Sequence, residues 1–378
     1  MQALDISACK MAPPLFNLRA EHNREPRVLL LIAGHSGQVG SALLKQLEVA
    51  VPRLRQERGF TLHVAALVNR CNILWRDPDN GGETHEPRRP CDWPEILTHF
   101  VRFAGTARLL VDCTADAELA RHHIEFLRRN VAVVTANKLA LCGMQREYHA
   151  LMQAADRNGI HYSCETAVAA ALPVLEPVRD IRVRGERVLR MEALVSGTLS
   201  FILQRVNNGT PFSVAVREAC ARGYTERHPA EDIKGNDTGR KLLILLRTAG
   251  IHWEPEAIPV ESLVPKTLVA EPDVQRFLAG LSAYDADWFE KTEAARQRGL
   301  RLVYLARFDG RGVGVGVTHV SAQDPFALLA PGENLIRIWT DRYQPVPLSI
   351  SGPGAGPELT AAGVLTDILK ATRELLHG

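Results

Sequence analysis

The sequence predicts an α/β protein in which a doubly wound, largely parallel sheet is joined to a second, α+β unit, and three observations carry that reading. Apolar runs of strand length alternate with segments of helical periodicity through the first 140 residues. The first run, "RVLLLIAG", passes through a glycine turn straight into a helix-like stretch. At 378 residues, the chain has room for a second folding unit.

Each element follows from local composition. "RVLLLIAG" is apolar throughout, as a strand covered on both faces must be, and "GQVGSALLKQLEVAV" then repeats apolar residues at helical spacing. Next come the strand "TLHVAALVNR", a helix opened by Asp92 and Pro94, the strand "ARLLVDCT", the helix "AELARHHIEFLRRN" and the strand "VAVVTANK". The glycines of the first turn read G-x-x-G-x-x-G at Gly34, Gly37 and Gly40, whereas the commonest dinucleotide fingerprint reads G-x-G-x-x-G. Lacking Cβ atoms, Gly34 and Gly37 let the backbone turn tightly toward a pyrophosphate, and Gly40 lets the helix pack closely. The N–H groups of Gln38, Val39 and Gly40 at the helix start would bind the phosphates, as in a Rossmann-type domain. The next strand ends "LVNR", where an NAD enzyme would place an acid for the ribose hydroxyls. Arg70 stands there instead. Its guanidinium suits a 2′-phosphate, hence NADP with NAD as the alternative, and suits a solvated surface position equally well.

Composition narrows the ligand class. Hydrophobic residues make up 46% of the chain, charged residues 23%, and the net charge is +2, which favours a small anionic or zwitterionic ligand over nucleic acid. Seven scattered cysteines with no C-x-x-C pair support neither a disulfide framework nor a zinc site, and so point to a reducing cytoplasm. No segment reaches the roughly 18 apolar residues of a membrane span, and residues 1–25 read as a flexible leader without a signal-peptide pattern. The expected division assigns 26–160 and 348–378 to the dinucleotide-binding unit and 161–347 to a substrate-binding, catalytic and dimerising unit.

The densest polar cluster of the second half is "ARGYTERHPAEDIKGNDTGRKLLILLR", which brings Glu226, Asp232, Asp237 and Lys241 into a short span. Asp237 and Lys241 are four apart and share one helix face. An ordinary surface ion pair has the same spacing. Here the helix runs on as "LLILL", apolar on nearly every side, so the lysine is expected in a buried element, where its cost argues for a function. Such a lysine can donate or accept a proton, and carboxylates beside it can hold a substrate ammonium.

With these residues in place, the chain resembles the homoserine dehydrogenase family, in particular the dehydrogenase portion of bifunctional aspartokinase–homoserine dehydrogenases. The matching blocks are "VDCTADAE", "VVTANKLA", "CETAVAAALPVLEPVRDI", "VSGTLSFIL", "ARGYTERHPAEDIKGNDTGRKLLIL", "YQPVPLSISGPGAG" and "TAAGVLTDIL", in family order. The resemblance implies reversible NAD(P)H-dependent reduction of L-aspartate 4-semialdehyde to L-homoserine, in a homodimer. It implies that Lys241 gives the proton to the aldehyde oxygen, with Asp237 and Lys138 as further catalytic residues and Lys138 between cofactor and substrate. Glu226, Asp232, Asp237 and Thr198 would bind the substrate, while Thr114, Lys138, Gly223 and Gly356 would touch the cofactor.

The resemblance also implies a monovalent cation, sodium, held at Glu165, Val168, Ala170 and Leu172, an oxygen-only set suited to a hard ion. Relatives usually have glycine where this chain has Ala169 and Ala171, so positive φ at those positions would strain the alanines. His35 likewise stands near a glycine position of the nucleotide loop. Nothing in the 378 residues resembles a kinase domain, and threonine is not expected to inhibit this chain through an appended domain. Two other readings compete. A semialdehyde dehydrogenase would need Cys113 as a nucleophile with a histidine partner, and a sensing or scaffolding relative would not need Lys138, Asp237 and Lys241.

Overall fold

The computed structural model describes residues 25–79, 81–87, 92–160 and 162–377, so the expected leader lies outside the described residues except for Glu25. The chain begins β1 (Arg27–Ala33), α1 (Gln38–Arg58), β2 (Thr61–Val68), β3 (Asn72–Arg76), β4 (Glu83–Pro87), α2 (Trp93–Phe100), β5 (Ala107–Asp112), α3 (Ala117–Arg128) and β6 (Ala132–Thr135). It continues with α4 (Gln145–Arg157), β7 (Tyr162–Ser163), α5 (Thr166–Ala169), α6 (Leu175–Val183), β8 (Val188–Leu194), α7 (Gly197–Asn207), α8 (Phe212–Ala221), α9 (Ala230–Ile233) and α10 (Asn236–Thr248). The last part holds α11 (Lys266–Val269), α12 (Val274–Gly280), α13 (Asp285–Gln297), β9 (Leu300–Phe308), β10 (Val313–Ser321), α14 (Pro325–Leu328), β11 (Glu333–Thr340), β12 (Leu348–Pro353) and α15 (Pro357–His377).

Two sheets organise the described chain. The first has the order β4-β3-β2-β1-β5-β6-β7, and β1 pairs in parallel with both β2 and β5. The connections from β1 therefore leave in opposite directions, which opens a crevice at the carboxyl ends of β1 and β5, the usual ligand position in such sheets. Leu29, Leu30, Leu31 and Ile32 are fully buried, as the continuous apolar run requires. The second sheet, β10-β9-β8-β11-β12, is antiparallel. No helix of the described residues is long and apolar enough to cross a membrane.

Three details depart from expectation. Between β2 and α2, where the sequence predicts no element, Asn72–Arg76 and Glu83–Pro87 form the antiparallel strands β3 and β4, which widen the first sheet at its edge. Their mixed and polar residues lack the apolar run of a central strand, because β4 is an exposed edge. The expected division also shifts at two places, since β7 pairs with β6 in the first sheet while β12 pairs with β11 in the second. Only α15 returns to the first sheet, where it packs on α1, β5 and β6 and Gln46 Nε2 donates to the Glu358 carbonyl at 3.0 Å.

Candidate active site

The glycine turn forms one wall of the crevice. Gly34 has φ +80°, and a Cβ there would lie 2.9 Å from both the Cys113 carbonyl oxygen and Thr114 Cγ2, so glycine is needed where β1 and β5 deliver their turns side by side. A Cβ at Gly40 would overlap the Gly34 carbonyl oxygen, which explains the third glycine. Gly37 is the N-cap of α1 and offers no side chain to the first-turn amides of Gln38, Val39 and Gly40, leaving them for an anion. His35 fills the departure from the family pattern, its Nε2 3.4 Å from Asn69 Nδ2. Burial, then nearby Arg76, lowers its pKa, favouring the neutral imidazole. Asn69 Oδ1 accepts from the N–H groups of Cys71 and Asn72, both at 2.8 Å, so it closes the turn that displays the exposed Arg70.

Behind this wall lies a polar hub that sequence reasoning missed. Asp112, fully buried at the end of β5, accepts from Thr114 N (2.8 Å), Thr114 Oγ1 (2.6 Å), Asn137 Nδ2 (3.0 Å) and His123 Nε2 (3.1 Å). Because a carboxylate only accepts, Nε2 carries the imidazole proton and the Tyr162 hydroxyl donates to Nδ1 at 2.7 Å in the neutral ring. Burial raises the Tyr162 pKa far above its ordinary value and keeps that donor protonated. The Thr114 hydroxyl is committed to this hub, donating to Asp112 and accepting from Asp116 N at 3.0 Å, and its methyl group is what lies against the glycine turn.

Asn137 passes this order to Lys138, which leaves the end of β6 and reaches Asp237 Oδ1 at 3.2 Å. Lys241 Nζ meets the other oxygen, Oδ2, at 3.1 Å and donates to the Val195 carbonyl at 2.6 Å. Asp237 thus joins the parallel sheet to α10. Its carboxylate is half-exposed, whereas the Lys241 side chain is only 12% exposed. Leu242 through Leu246 are buried, as the apolar run predicts. Burial lowers the Lys241 pKa, Asp237 partly restores it and Lys138 lowers it again. For Asp237, burial works against ionisation, but Lys241 and Lys138 win and hold the carboxyl below the ordinary range. The first turn of α10 also favours a negative charge.

The remaining carboxylates lie next to this pair. Asp232 Oδ2 accepts from Glu226 N at 2.9 Å, and its Oδ1 is 3.1 Å from the Thr198 hydroxyl, which is also 2.5 Å from the Tyr224 carbonyl. Burial raises the Asp232 pKa, with a smaller push from Glu226 and Asp237. Glu226 itself is exposed. Gly223, at φ +70°, closes α8 and opens the loop that presents Tyr224 and Glu226, on the carboxylate side of the site. Gly356, at φ +128°, starts α15, and its carbonyl accepts from Thr360 N at 2.9 Å.

The loop after Glu165 is tied to the start of α6. The Glu165 carboxylate accepts from the N–H groups of Val174 (2.5 Å), Leu175 (2.5 Å) and Glu176 (2.9 Å), so it caps α6 instead of standing free. Positive φ falls on neither Ala169 nor Ala171 but on Ala170, at φ 51° and ψ −121°, inside a turn closed by Leu172 N donating to the Ala169 carbonyl at 3.0 Å. Among the described residues, no group of three or more His, Cys, Asp or Glu could hold a metal. The nucleophilic-cysteine reading fails on chemistry. Burial, with Asp112 beside it, pushes the Cys113 thiol up to about 12, and His123 is engaged by Asp112 and Tyr162.

Fold and site together define a nucleotide-binding α/β scaffold with a lysine–carboxylate cluster at its crevice. A family model for homoserine dehydrogenase matches residues 173–369, and one for the homoserine dehydrogenase NAD-binding domain matches 36–165. The chain belongs to the homoserine dehydrogenase family. It is similar to a Zea mays chloroplastic bifunctional aspartokinase/homoserine dehydrogenase, 34% identical over 367 residues that cover 93% of this chain and 40% of that protein. It is also similar to the homoserine dehydrogenase of Schizosaccharomyces pombe, 34% identical over 284 residues, covering 73% of this chain and 76% of that one. The fold is shared with a hyperthermophilic archaeal homoserine dehydrogenase in complex with NADPH, with TM-score 0.68 at 24% identity over 92% of this chain and 98% of that one. The chain spans about two-fifths of the length of the first bifunctional relatives it matches.

Proposed function

We propose that the chain catalyses the reversible reduction of L-aspartate 4-semialdehyde to L-homoserine with NADPH, NADH being the alternative. The observation that carries this is the Lys138–Asp237–Lys241 bridge, which sets a buried lysine and a row of carboxylates against the dinucleotide crevice. When bound, a nicotinamide dinucleotide would supply the hydride in reduction and take it up in oxidation. First-turn amides of α1 at Gln38, Val39 and Gly40 would hold its pyrophosphate, with Gly34, Gly37, Thr114, Gly223 and Gly356 lining its path.

The chain's own residues handle the proton and the amino acid. Lys241 holds a proton at Nζ for the aldehyde oxygen in reduction and takes it from the hydroxyl in oxidation. Asp237 keeps that ammonium oriented, and Lys138 flanks it from the cofactor side. Glu226, exposed and without a fixed partner among the hydrogen bonds described above, would take the substrate ammonium, while Asp232 and Thr198 shape the pocket wall. Sodium would be held by the backbone carbonyls of Glu165, Val168, Ala170 and Leu172, since the Glu165 carboxylate is already occupied. A homodimer is expected from the family.

Lys241→Met is expected to lower kcat about 10²–10⁴-fold while NADPH still binds, as followed by fluorescence titration. Unchanged turnover would remove Lys241 from proton transfer. Arg70→Ala is expected to raise KM for NADPH roughly 10-fold, more than for NADH, through loss of a charge-assisted contact to the 2′-phosphate. Equal changes for both cofactors would place Arg70 outside that contact.

A further inference from the structure

The loop that carries Lys138 is held on both sides. Upstream, Asn137 is fixed by Asp112, and its Oδ1 accepts from Leu139 N at 3.0 Å. Downstream, the chain passes a 3₁₀ turn at Leu139–Leu141 on its way to α4, and there it meets Arg247, which projects from the last turn of α10. Nη1 of Arg247 donates to the Leu141 carbonyl at 2.5 Å, and Nη2 donates to the carbonyls of Gly143 (2.7 Å) and Trp253 (3.3 Å). Its Nε donates to Gln145 Oε1 at 3.0 Å. The guanidinium carbon lies 5.2 Å from the centre of the Tyr148 ring.

Arg247 is 1% exposed, and each of these acceptors is neutral. Glu254 and Glu147 lie near enough for their charges to favour the guanidinium, yet no ion pair within 4 Å forms with either among the described residues, so its burial is costly and an apolar residue would pack at the end of "LLILLR" with less penalty. Burial lowers the Arg247 pKa from its ordinary value, in keeping with that cost. What the arrangement secures is the backbone from Leu141 to Gln145. A second, weaker tie runs alongside, from Cys142 Sγ to the Arg240 carbonyl at 3.7 Å.

We propose that Arg247 is a positioning residue that locks the Lys138 loop onto α10, so that Lys138 and Lys241 stay on opposite oxygens of Asp237. One rigid helix carries both the clamp and the reacting cluster. Lys241 and Arg247 are six residues apart on it, about 9 Å along the axis, so loop and cluster are referenced to the same frame. This inference rests on the reading of Lys138, Asp237 and Lys241 as the reacting cluster.

Two experiments test it independently. In the first, hydrogen exchange is followed in Arg247→Met and, should that variant fail to fold, in Arg247→Lys, whose single ammonium cannot span the same acceptors. Faster exchange confined to 139–147 is expected. Unchanged protection there would overturn the clamp whatever the enzyme turns over. The second is a double-mutant cycle with Lys138→Met, read as kcat for homoserine oxidation and KM for NADP. Arg247→Met should cost about 10–100-fold in kcat, as a misplacement near 1 Å does, with KM within about 3-fold. In the Lys138→Met background, the same substitution should cost less than about 3-fold, because the two residues act through one route. Equal losses in both backgrounds would mean a purely structural role and overturn the proposal. A Lys138→Met protein with parental kcat would also overturn it, through Lys138, while the exchange data would still report on the clamp.

Discussion

Two polar regions flank Lys138, and they are built on opposite principles. On one side, Asp112 is fully buried, accepts four hydrogen bonds and organises Thr114, His123, Asn137 and Tyr162 into a closed network. On the other, Asp237 is half-exposed, lies at the start of a helix and holds two lysines by single ion pairs. A fully satisfied buried network fixes backbone, since each member left unpaired would cost more than its bond returns. A half-exposed ion pair can exchange partners, so its charges are available to a substrate. Their different burial is the reason the proposed chemistry is assigned to the Asp237 side and a structural part to the Asp112 side.

Breaking the buried side should have the largest effect on the fold. Asp112→Ala leaves His123 and Asn137 without their shared acceptor, and a loss of about 3–5 kcal/mol in unfolding free energy is expected, measured by urea denaturation. A loss below about 1 kcal/mol would show that the hub is not a unit. Disturbing the exposed side should instead move chemistry. If Lys241 is the proton donor proposed above, aldehyde reduction needs its ammonium form, and the rate is expected to fall as pH rises through its pKa, which burial sets below the ordinary lysine value. In homoserine oxidation, the amine is needed, and the rate rises through the same pKa. Asp237→Asn removes the charge that favours the ammonium, so both limbs should move to lower pH, by roughly one unit, with kcat also reduced. A limb that stays in place would assign it to another group.

The contrast also separates what the sequence discloses from what it hides. The parallel strands, the glycine turn and the buried α10 are legible because each is encoded locally, by an apolar run, by missing Cβ atoms or by helical periodicity. The Asp237–Lys241 pair is legible for the same reason, being four residues apart on one helix. Asp112 and His123 are not, because their partnership closes across β5, α3, β6 and β7, and nothing in "VDCT" distinguishes a hub from a strand end. Arg247 is hidden likewise, reading as an ordinary last-turn cation until its contacts with Leu141 and Gly143 are seen. In the β3–β4 hairpin, β4 is hidden by composition, since a polar edge strand resembles a loop, and β3 by its length of five residues.

The smallest expected effect concerns the loop after Glu165. Ala170 occupies a positive-φ conformation that glycine adopts without strain, and Gly363 of α15 presses closely on the same loop. Ala170→Gly should raise the unfolding free energy by roughly 1 kcal/mol, strain relief exceeding the loss of a buried methyl. A destabilised variant would show that methyl packing outweighs the backbone cost.

Whether the cluster at Asp237 performs homoserine chemistry beside a nicotinamide cofactor is tested most directly by adding L-homoserine to the folded protein with NADP, then NAD, in sodium and potassium buffers. Homoserine-dependent formation of the reduced cofactor, faster with NADP, is the predicted result. A folded protein that binds NADPH yet turns over neither homoserine nor aspartate 4-semialdehyde would contradict that chemistry, and would leave the cluster as part of a sensing or scaffolding relative.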